Sequence, residues 1–266
     1  MIIDGKAISD KIKADLKVIA EKFERTHGRK CCLAMVLVGL NPSSVIYIDN
    51  KTKDCEAVGI TVIEHRLSEK TTESELCFLI KRLNLNRNID GILVQLPLPA
   101  HISEEKILQT IAPEKDVDGF GKTSPFLPCT PLGILELIKS TGTTLAGKHA
   151  VIVGRSNIVG RPTAKLLLDN DCTVTIAHSK TVNLGAITRL ADILVVAVGK
   201  PKLITAEMVK KGAIVIDVGI NRLPNNTVCG DVDFDAVKSV ASFITPVPGG
   251  VGLMTRAMLL KNVLRA

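Results

Sequence analysis

Apolar and polar positions divide the chain into short β-branched runs separated by longer stretches in which apolar residues recur at helical spacing. Runs with strand character are LAMVLV (33–38), ITVIEHRL (60–67), GILVQL (91–96), HAVIVG (149–154), CTVTIA (172–177), DILVVAV (192–198) and AIVIDVG (213–219). Helical periodicity covers residues near 7–26, 43–58, 72–83, 131–140, 160–169 and 205–211. The segment LMTRAMLLKNVLRA (253–266) predicts a final apolar helix that must bury one face. This alternation predicts an α/β fold on parallel sheets, because parallel neighbours need a crossover long enough to hold a helix.

The pattern breaks in PEKDVDGFGKTSPFLPCTPLG (113–133), where proline, glycine and polar residues cluster without a period. A junction there predicts two α/β domains, residues 1–125 with the C-terminal helix 252–266, and residues 126–251. A second proline and glycine cluster, TPVPGGVG (245–252), precedes the last helix.

With 266 residues, 46% of them hydrophobic, the chain can fill two cores of ordinary size. It has no apolar run of about 18 residues, and its first segment, MIIDGKAISDKIKADLK, is charged throughout. Neither a membrane span nor a secretory signal is expected. Seven cysteines, an odd number without C-x-x-C spacing, point to a reducing cytoplasmic compartment. The five histidines never fall at ligand spacing with cysteine or carboxylate, so no metal is expected. The net charge of +7 is spread along the chain and aromatics are 3%, which leaves few stacking platforms for bases. Anionic small molecules, rather than nucleic acid, are the expected partners.

Two stretches carry candidate chemistry. AVIVGRSNIVGRPTAKLLL is a strand, a glycine turn and a helix, the order of a dinucleotide-binding unit. Its match to G-x-G-x-x-G is incomplete: Gly154 holds the first position, Ser156 replaces the second glycine, and Gly160 falls one residue late. An NAD site usually carries an acidic residue about 20 residues beyond the turn, but this chain has His178, Ser179 and Lys180. With Arg155 in the turn, donors and positive charge favour NADP. Gly199 in VVAVGKP and Gly219 in VIDVGIN end later strands with a residue that lets backbone approach a flat ligand. The candidate cofactor-binding set is Gly154, Arg155, Ser156, Ile158, Val159, His178, Ser179, Gly199 and Ile220. The second stretch, SSVIYIDNKTKDCEAVGI, places Ser44, the single tyrosine Tyr47, and Lys51 at i, i+3 and i+7 on one helical face. Alone, that pair also suits a packing tyrosine and a solvated lysine.

IIDGKAIS, VGLNPSSVIYIDNKTKDCEAVGI, DGILVQLPLP, PEKDVDGF, PFLPCTPLG, VIVGRSNIVGRPTAKLLL, TVTIAHSKT, ADILVVAVGKP, IVIDVGIN, GDVDF and ITPVPGGVG occur in that order across nearly the whole chain. Together they closely resemble the bifunctional methylenetetrahydrofolate dehydrogenase/methenyltetrahydrofolate cyclohydrolase family. The resemblance implies NADP-dependent oxidation of 5,10-methylenetetrahydrofolate and hydrolysis of the methenyl product to 10-formyltetrahydrofolate, within one-carbon metabolism and purine biosynthesis. It implies a cleft between a folate-binding catalytic domain and a Rossmann-type NADP-binding domain, in a cytoplasmic homodimer. Tyr47, Lys51, Gln95 and Asp118 match the family's catalytic tyrosine, lysine, glutamine and aspartate. Leu96, Pro97, Pro248, Gly249 and Gly250 join them in the implied folate-binding set. Chemically, Gln95 can hydrogen-bond Lys51 without holding its cation as a carboxylate would, Asp118 can accept two parallel N–H groups from a pterin edge, and Tyr47 offers apolar area with a hydroxyl.

Two departures from the family pattern stand out. The loop after DVDGF is short, running through GKTSPFL to PCTP, and Leu253 replaces the proline usual after GGVG, a change expected to loosen that loop. A monofunctional dehydrogenase with impaired hydrolysis, and a non-catalytic NADP-binding regulator, are the alternatives that the same motifs leave open.

Overall fold

Strand β1 (Cys32–Val38) is buried at every position, as a parallel strand covered on both faces must be. It forms the centre of a three-stranded parallel sheet between β2 (Thr61–Leu67) and β3 (Gly91–Val94). β2 lies at the edge and alternates in exposure, whereas β3 is buried throughout. The computed structural model describes residues 1–225 and 227–266, with Ser43 described through its backbone alone.

The chain divides into two compact units, Lys11–Cys129 with Arg256–Ala266, and Thr130–Thr255 with Met1–Asp10. The three-stranded unit carries most of α1 (Gly5–His27), then α2 (Pro42–Val58), α3 (Glu73–Leu85) and α4 (Glu104–Thr110). Helix α3 starts at a capping box in which Thr72 and Glu75 satisfy one another's backbone amides. Its buried Leu76, Ile80 and Leu83 pack with Ile107 of α4 against Ala34, Val36, Ile92 and Val94 of the sheet.

The short loop after Asp118 is closed on itself. Gly121 donates its N–H to Asp116 Oδ2 at 2.7 Å, and the Ser124 hydroxyl donates to the Asp116 carbonyl at 3.1 Å. Gly119 has φ +70°, and a Cβ there would lie 2.6 Å from the Leu127 backbone. The last helix, α9 (Val251–Val263), secures this loop: buried Asn262 donates to the carbonyls of Val117 at 2.9 Å and Leu127 at 3.1 Å.

The other unit is a five-stranded parallel sheet in the order β10-β7-β6-β4-β5, made of β4 (His149–Val153), β5 (Thr173–Ala177), β6 (Ile193–Val196), β7 (Ile214–Asp217) and β10 (Phe243–Ile244). Helix α5 (Cys129–Lys139) precedes β4, helices α6 (Gly160–Leu168), α7 (Leu184–Thr188) and α8 (Phe234–Val237) lie in the connections between its strands, and β8 (Asn221–Arg222) pairs antiparallel with β9 (Val228–Cys229).

The units differ from the expected boundaries at both ends. Met1–Asp10 belongs with the five-stranded unit because Ile2 bridges Ile244 and the Ile3 N–H donates to the Ile244 carbonyl at 2.8 Å, extending the β10 edge. The division near the middle falls after Cys129 rather than after residue 125, and the one near the end falls inside α9, before Arg256. The helix expected at 205–211 is only a 3-10 turn, Ala206–Met208, because Gly212 at φ +83° turns the chain into β7. Among the described residues no helix is long and apolar enough to cross a membrane.

Asn262→Ala removes the amide donor from the buried Val117 carbonyl, leaving it only the Cys129 thiol, and from the partly buried Leu127 carbonyl, and should lower stability by about 1–3 kcal/mol. A shift in the urea midpoint, followed by circular dichroism, measures it; an unchanged midpoint would mean that the tie contributes nothing.

Candidate active site and cofactor cavity

Lys51 lies on α2 with only 9% of its surface exposed, and its Nζ donates to Gln95 Oε1 at 3.1 Å. Gln95 follows β3 directly, and its N–H donates to the Val36 carbonyl at 2.9 Å, so the last rung of the sheet fixes its backbone. Its Nε2 donates to the Leu96 carbonyl at 2.6 Å. The amide orientation follows: the ammonium requires the oxygen and the carbonyl requires the NH₂.

Tyr47 stands one turn before Lys51, 36% exposed, and Ser44 is buried one turn earlier still. Burial raises the Tyr47 phenol above its ordinary value while nearby Arg256 opposes the rise, so the hydroxyl stays protonated near neutrality. Arg256 is itself held by Asp54 at 3.1 Å, and Asp54 also takes the Lys13 ammonium at 2.8 Å.

Asp118 is half-buried. Burial pushes its carboxyl above the usual carboxylate range; the Lys51 ammonium pulls it back and Asp116 adds to the rise. The bridge between Ile92 and Asp116 carries the DVDG turn alongside β3, which sets Asp118 within electrostatic reach of Lys51. Tyr47, Lys51, Gln95 and Asp118 thus share one unit. Leu96–Pro97 is a cis peptide, and Pro97 borders a cavity of about 360 Å³ with Gly39, Leu40 and Asn41.

In the five-stranded unit the chain leaves β4 for β5 on one side and returns to β6 on the other, so β4 and β6 flank the switch point where doubly wound sheets receive ligands. A cavity of about 360 Å³ opens there, lined among others by Gly154, Arg155, His178, Ser179, Val198 and Lys200. Gly154 has φ +128°, and a Cβ on it would meet the Ala197 carbonyl at 2.3 Å. Gly160 lets the first turn of α6 rest on Gly154, since a Cβ there would lie 2.3 Å from the Gly154 carbonyl. The glycine that falls one residue late therefore performs the helix-to-strand packing of the usual third glycine.

Of the candidate cofactor-binding residues, Gly154, Arg155, His178 and Ser179 line the cavity, whereas Ser156, Ile158, Val159, Gly199 and Ile220 are not among the residues that line it. Ser156 instead serves the helix behind the turn. Its hydroxyl accepts the N–H groups of Val159 and Gly160, both at 3.2 Å, satisfying the amides that lead into α6. His178 Nδ1 accepts the Lys180 N–H at 3.2 Å, so the neutral ring carries its proton on Nε2. Lys200 and Thr181 also line the cavity and were not foreseen. Arg155, His178 and Lys200 with no carboxylate among the lining residues suit a phosphate-bearing cofactor.

The Pro248, Gly249 and Gly250 segment lies in the same unit as this cavity. Gly249 has φ +111°, and a Cβ on Gly5 would stand 2.6 Å from the Gly249 carbonyl, so the start of α1 rests on that loop. Leu253, in place of the proline usual in the family, is tied to this loop through its backbone. The Leu253 N–H donates to the Gly250 carbonyl at 3.2 Å, a bond that proline cannot make, and the Leu253 carbonyl accepts the Ser9 hydroxyl at 3.3 Å.

Family models place this arrangement. Residues 3–118 match the catalytic domain, and residues 128–266 the NAD(P)-binding domain, of tetrahydrofolate dehydrogenase/cyclohydrolase. The chain belongs to this family. A bifunctional protein FolD of Campylobacter curvus is 54% identical over 274 residues, covering 100% of this chain and 95% of its own length. The FolD dehydrogenase/cyclohydrolase of Campylobacter jejuni is 49% identical with a TM-score of 0.97, covering 100% of this chain and 97% of its own. The Trypanosoma brucei dehydrogenase-cyclohydrolase, solved with NADP cofactor and an inhibitor, is 37% identical with a TM-score of 0.95, covering 99% of this chain and 96% of its own.

Within the family's NAD(P)-binding domain, sequence reasoning also missed a buried pair of carboxylates, Asp217 at the end of β7 and Asp231. The available signal was an aspartate following apolar strand residues in VIDVG and another in GDVDF. Asp217 accepts N–H groups from Gly219 at 3.0 Å, Asp231 at 2.9 Å and Val232 at 2.9 Å. Even so, burial, aided by the Asp231 charge, pushes its carboxyl from 3.8 up to about 6. The folded state then binds this proton more tightly than the unfolded chain, so the group's contribution is full below about pH 4 and lost as pH rises through about 6. At about 1.4 kcal/mol per unit the loss amounts to roughly 3 kcal/mol. Urea denaturation from pH 4 to 7 should show stability falling across this window, and Asp217→Asn should flatten that slope. A slope unchanged in the variant would exclude Asp217 as its source.

Proposed function

We propose that this chain oxidises 5,10-methylenetetrahydrofolate with NADP and hydrolyses the methenyl product to 10-formyltetrahydrofolate, with Lys51 acting on the water. The observation that carries the reading is the 3.1 Å bond from the Lys51 ammonium to the neutral Gln95 oxygen. Membership of the family, and relatives named as bifunctional, support the pair of reactions. The cation-lined cavity, and an NADP-bound relative, support the cofactor. When bound, NADP takes a hydride from the methylene carbon, leaving the methenyl cation.

Lys51 then serves the second reaction. A lysine held by a carboxylate would keep its proton too firmly to exchange it, whereas a single bond to an amide oxygen fixes its direction without that cost. From there the amine form of Lys51, with one N–H on Gln95 and its lone pair toward a water, accepts the proton that the water releases on adding to the cationic carbon; the ammonium so formed returns that proton to the ring nitrogen as the C–N bond opens, and the carbinol O–H proton leaves to solvent as the formyl C=O forms. Asp118 accepts two N–H groups from the amino-pyrimidine edge, a pairing that favours its ionised form and offsets the rise caused by burial. Tyr47 lies against the pterin with its ring and keeps a protonated hydroxyl to donate. Leu96 and Pro97, and the glycines of the Pro248–Gly250 segment, complete the folate contacts, and Arg155, His178 and Ser179 take the 2′-phosphate. The enzyme works as a cytoplasmic homodimer whose formyl product feeds purine biosynthesis; free cysteines throughout, and Ile176 exposed on edge strand β5, are compatible with this.

Lys51→Met should lower methenyltetrahydrofolate hydrolysis by at least about 100-fold while NADP reduction persists, so that the methenyl compound accumulates. Hydrolysis undiminished in that variant would remove Lys51 from the role. Arg155→Ala should weaken NADP about 10- to 100-fold, the range of a charged hydrogen bond, with little change for NAD. Initial rates against each cofactor check it, and an equal loss for both would assign the discrimination elsewhere.

A further inference from the structure

The turn after β6 lines the cofactor cavity through Val198 and Lys200, yet few local backbone bonds hold it. Its three successive N–H groups instead converge on one buried carboxylate. Asp231 Oδ2 accepts from Val198 at 2.7 Å and Gly199 at 2.9 Å, and Oδ1 accepts from Lys200 at 2.8 Å and from Asn221 Nδ2 at 2.8 Å. Consecutive amides pointing one way form a concavity that commonly receives an anion from a ligand. Here the protein's own side chain fills it, with Gly199 at φ +66° supplying the curvature.

Asp231 is fully buried, and no basic side chain is paired with it among the ion pairs of the described residues. It is held in turn from behind. Its own N–H and that of Val232 bind Asp217, and the Ile204 N–H donates to its carbonyl at 3.0 Å. Two glycines leave room for the pair, since a Cβ on Gly219 would sit 2.2 Å from Asp231 Oδ1 and one on Gly230 would sit 1.8 Å from Asp217 Oδ2. The carboxylates thus link the end of β7, the segment after β9 and the turn after β6 into one assembly beneath the cavity.

We infer that Asp231 is a positioning residue for hydride transfer, its carboxylate holding the Val198–Gly199–Lys200 turn in the shape that receives NADP. It touches neither substrate nor cofactor and acts through the backbone it binds. The inference rests on the dehydrogenase reading proposed above and makes a selective demand on the two reactions. Hydrolysis of the methenyl compound consumes no cofactor, and its candidate catalytic groups, Tyr47, Lys51, Gln95 and Asp118, lie in the other unit.

Asp231→Asn retains shape but offers one acceptor oxygen to four donors and turns an NH₂ against two of them. Its NADP KM should rise at least 10-fold, with hydrolysis within twofold of the parent and amide hydrogen exchange at residues 198–200 accelerated. Asn221→Ala, which removes only the fourth donor, should leave NADP KM within twofold. If Asp231→Asn does not fold, Asn221→Asp sets a repelling carboxylate beside Asp231 and should give the same selective rise. An unchanged NADP KM, a loss of hydrolysis in step with it, or an equal rise in Asn221→Ala would overturn the inference. NADPH titration monitored by the fluorescence of the reduced nicotinamide gives a Kd without turnover. A parent protein that binds NADP but reduces none would defeat the catalytic reading, while the Kd ratio of the variants still decides the role of Asp231.

Discussion

Strands buried on both faces leave a protein only their ends for chemistry. β1, β3, β6 and β7 are buried at every position, so nothing along their lengths can meet a ligand. The groups that matter accordingly sit where strands stop: Gln95 after β3, Gly154 after β4, the 198–200 turn after β6 and Asp217 at the end of β7. In a parallel sheet these ends all face one way, which is why an unbroken ladder also fixes the directions of its terminal side chains. The Gln95 to Val36 rung is the plainest instance, because a slip of one residue would turn the amide away from Lys51.

The two units use opposite means to present polar groups at these ends. In the three-stranded unit, side chains do it: a buried ammonium meets a neutral amide, and a half-buried carboxyl lies within reach of the same charge. In the five-stranded unit, backbone does it: glycines allow close approach, and side chains such as Ser156 and Asp231 turn inward to satisfy amides that would otherwise stay open. The incomplete glycine motif makes sense in those terms. Ser156 takes up the helix amides itself, and Gly160 keeps the one function that no side chain could share, letting α6 touch the Gly154 carbonyl.

Long periodic segments were legible in the sequence because burial on one face dictates their period. Helices such as α1 and α2, and strands β1 to β7, fall within a few residues of where helical periods and apolar runs placed them. Gln95 as a partner for Lys51 was legible only through the family resemblance that named both residues; helical spacing alone singled out Tyr47 and Lys51. Elements of two to seven residues, α4, α7, α8 and β8 to β10, span too few periods to stand out. Pairing between distant segments left no local mark either. Nothing in MIIDG shows that Ile3 will extend the β10 edge, and nothing in GDVDF shows that Asp231 will gather amides from thirty residues earlier.

Attachment of Met1–Asp10 to the far sheet carries a consequence for how the gene could be cut. The polypeptide passes from one unit to the other near residues 10, 129 and 255, so neither unit is a contiguous piece of sequence. A fragment ending at the middle crossing keeps the loop around Asp118 but loses Asn262, the donor that closes it, while the complementary fragment loses the strand edge supplied by the first residues. Separating the two activities by truncation therefore removes structural support from both, and the linear order of the chain enforces their joint inheritance.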